Sequence, residues 1–111
     1  MVKPYLPKRG DIVILTFDPQ AEHEQQGRRS VLILSDELFN KNVGLAIVCP
    51  ITNTDRNFPF HIPVNNKDIT GYIMSEQIKS IDFKARKVKF VTKLDNDTLG
   101  KVQSIVESVL F

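Results

Sequence analysis

The sequence contains no tryptophan and a single cysteine, Cys49, among its 111 residues. One cysteine excludes an intrachain disulfide, and a free thiol is typical of a reducing compartment, so we expect a cytoplasmic protein with Cys49 packed in its interior. The longest apolar runs, at 31–34 and 45–49, are too short to span a bilayer. The N-terminal residues do not resemble a signal peptide. These absences predict a protein with no membrane segment.

Motifs for bound metals and cofactors are also missing. The sequence has no histidine and cysteine cluster with zinc spacing, no glycine-rich phosphate loop and no group of carboxylates arranged for magnesium. The net charge of +2 is too small to identify a partner by itself. We therefore expect no metal and no cofactor.

The residues that are present suit one compact domain spanning 1–111. Apolar residues make up 41% of the chain and charged residues 25%, which is ordinary for a soluble globular protein. The continuously apolar run 31–34 predicts a strand buried on both faces, whereas Pro59 and Pro63 predict that their strand lies at a sheet edge. Runs rich in β-branched and aromatic residues predict six or seven short strands, at 12–17, 29–35, 44–52, 58–64, 71–75, 77–81 and 87–92.

Helical patterning is confined to two places. Ser35 or Asp36 could cap a short helical turn through Phe39, which 40–42 would end. A second, amphipathic helix with Asp95 as its N-cap is predicted at the C-terminus, where apolar residues recur every three or four positions, at Leu99, Val102, Ile105, Val106, Val109 and Leu110. The sequence thus predicts an α+β, mainly β fold: a small, curved sheet or partly open barrel with a C-terminal helix packed on it.

Three motifs occur in order along nearly the whole chain: the first comprises 10–13, 17–19 and 24–29, the second is Val-Cys-Pro-Ile-Thr at 48–52, and the third is 77–82 followed by Arg86. Together they resemble the motifs of the MazF/PemK toxins. Each motif is weak alone, but three in register are specific. The resemblance implies an SH3-like barrel, related to CcdB, that dimerises. It also implies the toxin of a type II toxin–antitoxin system, which cleaves RNA, inhibits translation and growth, and is neutralised by a MazE/PemI-like antitoxin.

The resemblance places catalytic roles on Arg29, Thr52 and Glu24. Cleavage of RNA without a metal uses the neighbouring 2′-hydroxyl as the nucleophile and leaves a 2′,3′-cyclic phosphate and a 5′-hydroxyl. A guanidinium and a hydroxyl can stabilise the charge that develops on the phosphoryl oxygens. Arginine is protonated at neutral pH and is a poor general base, so the base stays open, with Glu24 the best candidate and His23 the second.

Two further positions qualify this interpretation. His61 lies in the predicted edge strand with no evident relation to the site. Ser30 stands where many relatives have proline directly after the catalytic arginine; the exchange restores a backbone donor and loosens the start of the strand, which could alter the orientation of Arg29.

Contacts to RNA are expected beyond the catalytic residues. Sequence-reading ribonucleases act on unstacked single strands through base stacking and base-edge hydrogen bonds, and the polar loops 20–28 and 53–58 flank the predicted centre. Basic residues also exceed the one acid, Asp82, between 79 and 93, although a solvated strand face explains that excess equally well. The predicted RNA-binding residues are Gln25, Gly27, Arg28, Asn40, Asn53, Phe58, Gln77, Lys79 and Arg86.

Two alternatives stay open at this point. The first is a CcdB-like toxin that poisons gyrase and cleaves no RNA, and the second is a non-catalytic SH3-like module that binds RNA or protein. Arg29 and Thr52 in the ribonuclease positions favour cleavage of single-stranded RNA. The apolar C-terminal residues 109–111 are available for a homodimer interface, and the resemblance adds an antitoxin whose acidic, apolar tail competes with RNA.

Overall fold

A computed structural model describes residues 4–16 and 29–111, so the predicted loop 20–28 lies outside the described residues. The elements in chain order are β1 (Asp11–Leu15), β2 (Arg29–Ile33), α1 (Glu37–Val43), β3 (Ala46–Thr52), β4 (His61–Asn65), β5 (Thr70–Met74), β6 (Lys79–Ile81), β7 (Lys89–Lys93) and α2 (Asn96–Leu110). The strands form one antiparallel sheet in the order β4-β5-β3-β2-β1-β7, and β6 pairs with β3. Seven strands among the described residues, followed by a C-terminal helix, confirm the predicted mainly β architecture.

The central strands are buried on both faces because their side chains alternate between two hydrophobic clusters. Val31 and Ile33 belong to one cluster with β1 and β6, and Leu32 belongs to the other with Cys49 and α2. Each of Val31, Leu32 and Ile33 is at most 1% exposed, which confirms the expected two-sided burial. The β4 strand lies at one end of the sheet, as its prolines predict.

The C-terminal helix begins where the sequence predicts. Asp95 caps α2, since its carboxylate accepts hydrogen bonds from the backbone N–H and the hydroxyl of Thr98 at 2.9 and 2.8 Å. Val102 is fully buried against the sheet, and Leu99 and Val106 are partly buried beside it. The last two residues of the helix, Val109 and Leu110, are 45% and 57% exposed, and the C-cap Phe111 is 99% exposed.

The first helix is longer than predicted. Asp36 is its N-cap, with a carboxylate that accepts from Leu38 N at 2.8 Å, but the helix continues to Val43. It ends at Gly44, whose left-handed backbone (φ 83°) lets its N–H donate to Asn40 O. A glycine in this conformation is a stronger helix terminator than the asparagines at 40 and 42 that we expected to end it.

Asn40 is consequently an interior residue, and the prediction that it contacts RNA is wrong. Its side chain is 0% exposed. Nδ2 donates to the backbone oxygens of Pro7 and Ser35 at 2.8 and 3.3 Å, and Oδ1 accepts from the Ser35 hydroxyl. These bonds join the start of α1 to the N-terminal segment.

Several predicted strands are shorter than expected. The predicted strand at 58–64 begins only at His61 because 59–60 form a turn, and the predicted strand at 77–81 begins at Lys79. Ser30 lies inside β2 and is paired with Ile14 on one side and Ile51 on the other. A residue with a backbone N–H suits this central position, where proline would remove a donor from the sheet.

Candidate active site

Arg29 and Thr52 lie side by side at the ends of two adjacent strands in the middle of the sheet. The strands β2 and β3 are antiparallel with Ser30 opposite Ile51, so Arg29 and Thr52 occupy the next position along the same pair. Both line a cavity of about 340 Å³, here called the first cavity. Arg29 is exposed and Thr52 is half-buried. The structure therefore brings together the two side chains, Arg29 and Thr52, to which the resemblance gives catalytic roles.

The Thr52 side chain is held in place by local backbone contacts. Its Oγ1 accepts a hydrogen bond from the backbone N–H of Thr54 at 3.2 Å, so the hydroxyl hydrogen can still be donated to a ligand. The neighbouring strand approaches very closely, because a Cβ at Gly71 would lie 2.8 Å from the Thr52 carbonyl oxygen. A glycine at 71 is thus what allows β5 to pair with the end of β3.

The first cavity is electropositive. Its two charged lining residues in the described part of the chain are Arg29 and Lys79, and Asn53 and Gln77 add amide groups. Basic and amide donors of this kind suit a phosphate group. Among the predicted residues, Arg29, Thr52, Asn53, Gln77 and Lys79 therefore share one cavity.

A second cavity, of about 550 Å³, adjoins the first. The two share Thr52, Met74 and Gln77, and together they form a groove across the end of the sheet. The second cavity contains Phe58, a predicted RNA-binding residue. The remaining residues that line it were not predicted to be part of the site; these are Arg56, His61 and Glu76.

His61 and Glu76 are hydrogen-bonded to each other in this second cavity, which corrects the expectation that His61 is unrelated to the site. Nε2 of His61 lies 3.1 Å from Oε2 of Glu76, and the two side chains are 4% and 22% exposed. Burial opposes the carboxylate charge, but hydrogen bonds from its own backbone N–H, from His61 and from Gln77 outweigh burial and lower the pKa of Glu76. The pair therefore holds a carboxylate beside Thr52.

A signal for this pair was present in the sequence. The polar run at 65–68 is typical of a turn, and the β4–β5 hairpin pairs Asn65 with Thr70 and hence His61 with Met74. Counting outward from that turn places His61 opposite Met74, two residues before Glu76 in the turn that follows β5.

Other predicted residues lie elsewhere. Glu24, Gln25, Gly27 and Arg28, as well as His23, fall outside the described residues. Arg86 is half-buried in the turn 83–87, where its carbonyl accepts from Thr16 N at 3.2 Å, and it does not line either cavity. The structure does not bring it to the described groove.

Other chemistries find little support in the described part of the chain. Cys49 is 0% exposed, and burial together with the nearby Glu76 charge raises its pKa to about 12, so it is a packing residue and not a nucleophile. Within 4–16 and 29–111, histidine, cysteine and acidic side chains form no group of three suited to a metal ion. Over the same residues, neither helix has the length and apolar character needed to cross a bilayer.

Comparisons with known proteins identify the family of this chain. A sequence model of PemK-like, MazF-like toxins of type II toxin–antitoxin systems matches residues 8–110. The chain is 33% identical over 86 residues to the endoribonuclease toxin MazF of Escherichia coli (strain K12), which covers 78% of each protein. It is 36% identical over 117 residues to the endoribonuclease toxin ChpB of the same strain, covering 96% of this chain and 100% of ChpB.

A solved structure of the MazE–MazF complex from Deinococcus radiodurans has the same fold. It superposes with a TM-score of 0.86 at 33% identity and covers 96% of each chain. The match of sequence and fold over nearly the full length shows that this chain belongs to the PemK-like, MazF-like family of toxins of type II toxin–antitoxin systems.

Proposed function

We propose that this protein is a sequence-specific endoribonuclease toxin that cleaves single-stranded mRNA without a metal and thereby inhibits translation and growth. The observation that carries the proposal is the placement of Arg29 and Thr52 in one electropositive cavity at adjoining strand ends. Relatives that cover most of the chain are named endoribonucleases, which supports the same activity. A CcdB-like gyrase poison or a non-catalytic module would have no use for this pair.

In the proposed reaction, the 2′-oxygen of one nucleotide attacks the adjacent phosphorus while the bond to the 5′-oxygen breaks. The 2′-hydroxyl loses its proton to a base and the departing 5′-oxygen gains one, which leaves a 2′,3′-cyclic phosphate and a 5′-hydroxyl. Arg29 stabilises the charge on the phosphoryl oxygens and Thr52 donates its hydroxyl hydrogen to one of them. Glu24, or else His23, supplies the base.

RNA is held along the groove on both sides of the phosphate. Asn53, Gln77 and Lys79 bind the backbone in the first cavity, and Phe58 offers a ring for stacking in the second. The loop residues Gln25, Gly27 and Arg28, and the more distant Arg86, complete the proposed RNA-binding set.

The same proposal includes the protein's assembly and partners. Residues 1–111 act as one domain in the cytoplasm, and two copies form a homodimer. The exposed apolar end of α2, Val109 to Phe111, offers surface for that contact. A MazE/PemI-like antitoxin binds the toxin, which the MazE–MazF complex of a relative supports. Its acidic, apolar tail covers the RNA groove.

Cleavage of a long single-stranded RNA by the purified protein in the presence of EDTA tests the activity, with the ends of the fragments mapped. We expect discrete cuts with 5′-hydroxyl termini that are lost in Arg29→Ala and Thr52→Ala. Ser104→Ala, which removes an exposed hydroxyl on α2, serves as the control and should cut normally. Loss of cleavage in EDTA would refute metal independence, and gyrase inhibition with intact RNA would favour the CcdB-like alternative.

A further inference from the structure

The second cavity continues the catalytic groove along one face of the sheet. Thr52 is paired with Tyr72, and His61 is paired with Met74, two residues further along β5. Residues two apart on a strand share a face, so Thr52, Met74 and His61 lie on the same side of the sheet. An RNA strand with its scissile phosphate at Thr52 therefore has the neighbouring nucleotide beside His61 and Glu76.

The hydrogen-bonded His61–Glu76 pair in this cavity has unused hydrogen-bonding capacity. Among the described residues, Oε1 of Glu76 and Nδ1 of His61 are buried without a hydrogen-bond partner. A buried polar atom left unpaired costs about 1–3 kcal/mol, so such atoms normally have a partner or a role. The other carboxylate oxygen, Oε2, already accepts from His61 and from Gln77 Nε2 at 3.3 Å, which fixes the direction of Oε1.

An aromatic ring stands next to the pair. Phe58 meets the His61 ring edge-on, with centroids 5.1 Å apart, and is itself 41% exposed. Because Oε1 is buried, a ligand has to displace a neighbouring side chain to reach it. Phe58, in the exposed segment 53–60, is placed to move aside and stack on a flat ligand.

We propose that the second cavity is a nucleobase subsite next to the scissile phosphate, and that it takes a base carrying an exocyclic amino group, which Glu76 reads through Oε1. This inference rests on the proposed ribonuclease function. A carboxylate accepts hydrogen bonds and cannot donate them, so it selects the amino groups of cytosine, adenine or guanine over the carbonyl edge of uracil. His61 is a positioning residue that keeps the carboxylate ionised and oriented.

The wild-type protein can be tested with modified substrates. Short single-stranded RNAs containing one mapped cleavage site are synthesised with one base at a time replaced by its analogue without the amino group: purine riboside, inosine or uridine. We expect kcat/KM to fall by about tenfold or more at one position adjoining the cut, and much less at the positions beyond it.

Glu76→Gln tests the reading group itself, with Glu107→Gln on the exposed face of α2 as the matched control. An amide can donate as well as accept, so we expect the Glu76→Gln variant to lose the roughly tenfold penalty for the missing amino group and to accept uridine at that position. The control should keep the wild-type pattern. Thermal melts establish that both variants are folded.

Equal cleavage of all analogues by the wild-type protein would overturn the subsite while leaving the ribonuclease function intact. The subsite would also be overturned if Glu76→Gln lowered the cleavage rate of every substrate by the same factor. The His61–Glu76 pair would then only stabilise the local structure. If the wild-type protein cuts none of these RNAs and no long single-stranded RNA, the proposed function itself fails.

Discussion

Gly71 and Thr52 are in such close contact that no side chain fits between their strands. A Cβ at position 71 would lie 2.8 Å from the Thr52 carbonyl oxygen and 2.9 Å from Cγ2 of Ile51. Contacts this short with backbone atoms force one strand to shift. The position of the Thr52 hydroxyl in the first cavity therefore depends on the absence of a side chain on the adjacent strand.

Gly71→Ala should lower kcat for RNA cleavage by about tenfold or more. The added methyl group pushes the end of β3 away from its place beside Arg29, and misplacement of a catalytic group by about 1 Å can cost about 10²-fold. Single-turnover cleavage measures the rate, and RNA binding should change less than the rate. An alanine variant with wild-type kcat would show that the strand end adapts.

Gly100→Ala is the contrasting glycine exchange. A Cβ at this helical position meets no atom within 4 Å, and alanine favours a helix by about 1 kcal/mol over glycine. We expect the free energy of unfolding to rise by about that amount in urea titrations, with cleavage unchanged. Destabilisation would mean that α2 is packed differently at this point.

Thr52→Val should reduce kcat by about 10²-fold or more, since it keeps the shape of the side chain but removes the donor to the phosphoryl oxygen. Thr52→Ser should retain most of the rate. Thr54→Val, two residues away on the exposed segment, is the matched control and should cut normally, because only its backbone N–H contacts Thr52. The rates of all three variants are compared on one RNA.

Asn40→Ala should destabilise the fold and leave the catalytic groove intact. The exchange removes the donors to the Pro7 and Ser35 carbonyls, and leaving one buried and one partly buried acceptor without these donors costs about 2–4 kcal/mol. Chemical denaturation measures the loss, with the exposed Asn42→Ala on the same helix as the control. A specific loss of RNA binding with normal stability would instead return Asn40 to the RNA-contacting residues.

The free energy of unfolding should decline at alkaline pH because the thiol of Cys49 is buried. Its pKa is about 12 in the folded protein against 9.0 for an ordinary cysteine, so the unfolded chain loses this proton first as pH rises. The free energy of unfolding should fall as pH rises from about 9 towards 12. Denaturation at about pH 8 and about pH 10.5 should show a smaller decrease for Cys49→Ala than for the wild type.

Much of the architecture followed from local patterns. The continuous apolar run at 31–34, the two prolines near β4 and the cap at Asp95 each reflect a constraint that acts over a few residues, and each prediction was confirmed. The ends of the helices and strands were less predictable. The helix α1 continues to Val43 because it ends at Gly44, which has a left-handed backbone, and not at the asparagines before it. The burial of Asn40 depends on the N-terminal segment, which no local pattern reveals.

The candidate site was predictable only in part. Arg29 and Thr52 follow from motifs at the ends of consecutive strands, where the pairing of β2 with β3 is the simplest topology. His61 and Glu76 lie 15 residues apart and meet through the register of the β4–β5 hairpin. Arg86 shows the opposite case, since it belongs to a motif but lies away from the described groove.

Arg29 and Thr52 stand at strand termini and not within the two hydrophobic clusters, so the proposed catalytic pair and the core that stabilises the fold are different parts of the chain. A single-codon change at either residue should yield a harmless protein that retains its scaffold. Such an inactive copy, if it still captured the neutralising partner, would act as a decoy. It would release any functional toxin in the same cell from inhibition, so a disabled gene of this kind could still be dangerous to its host.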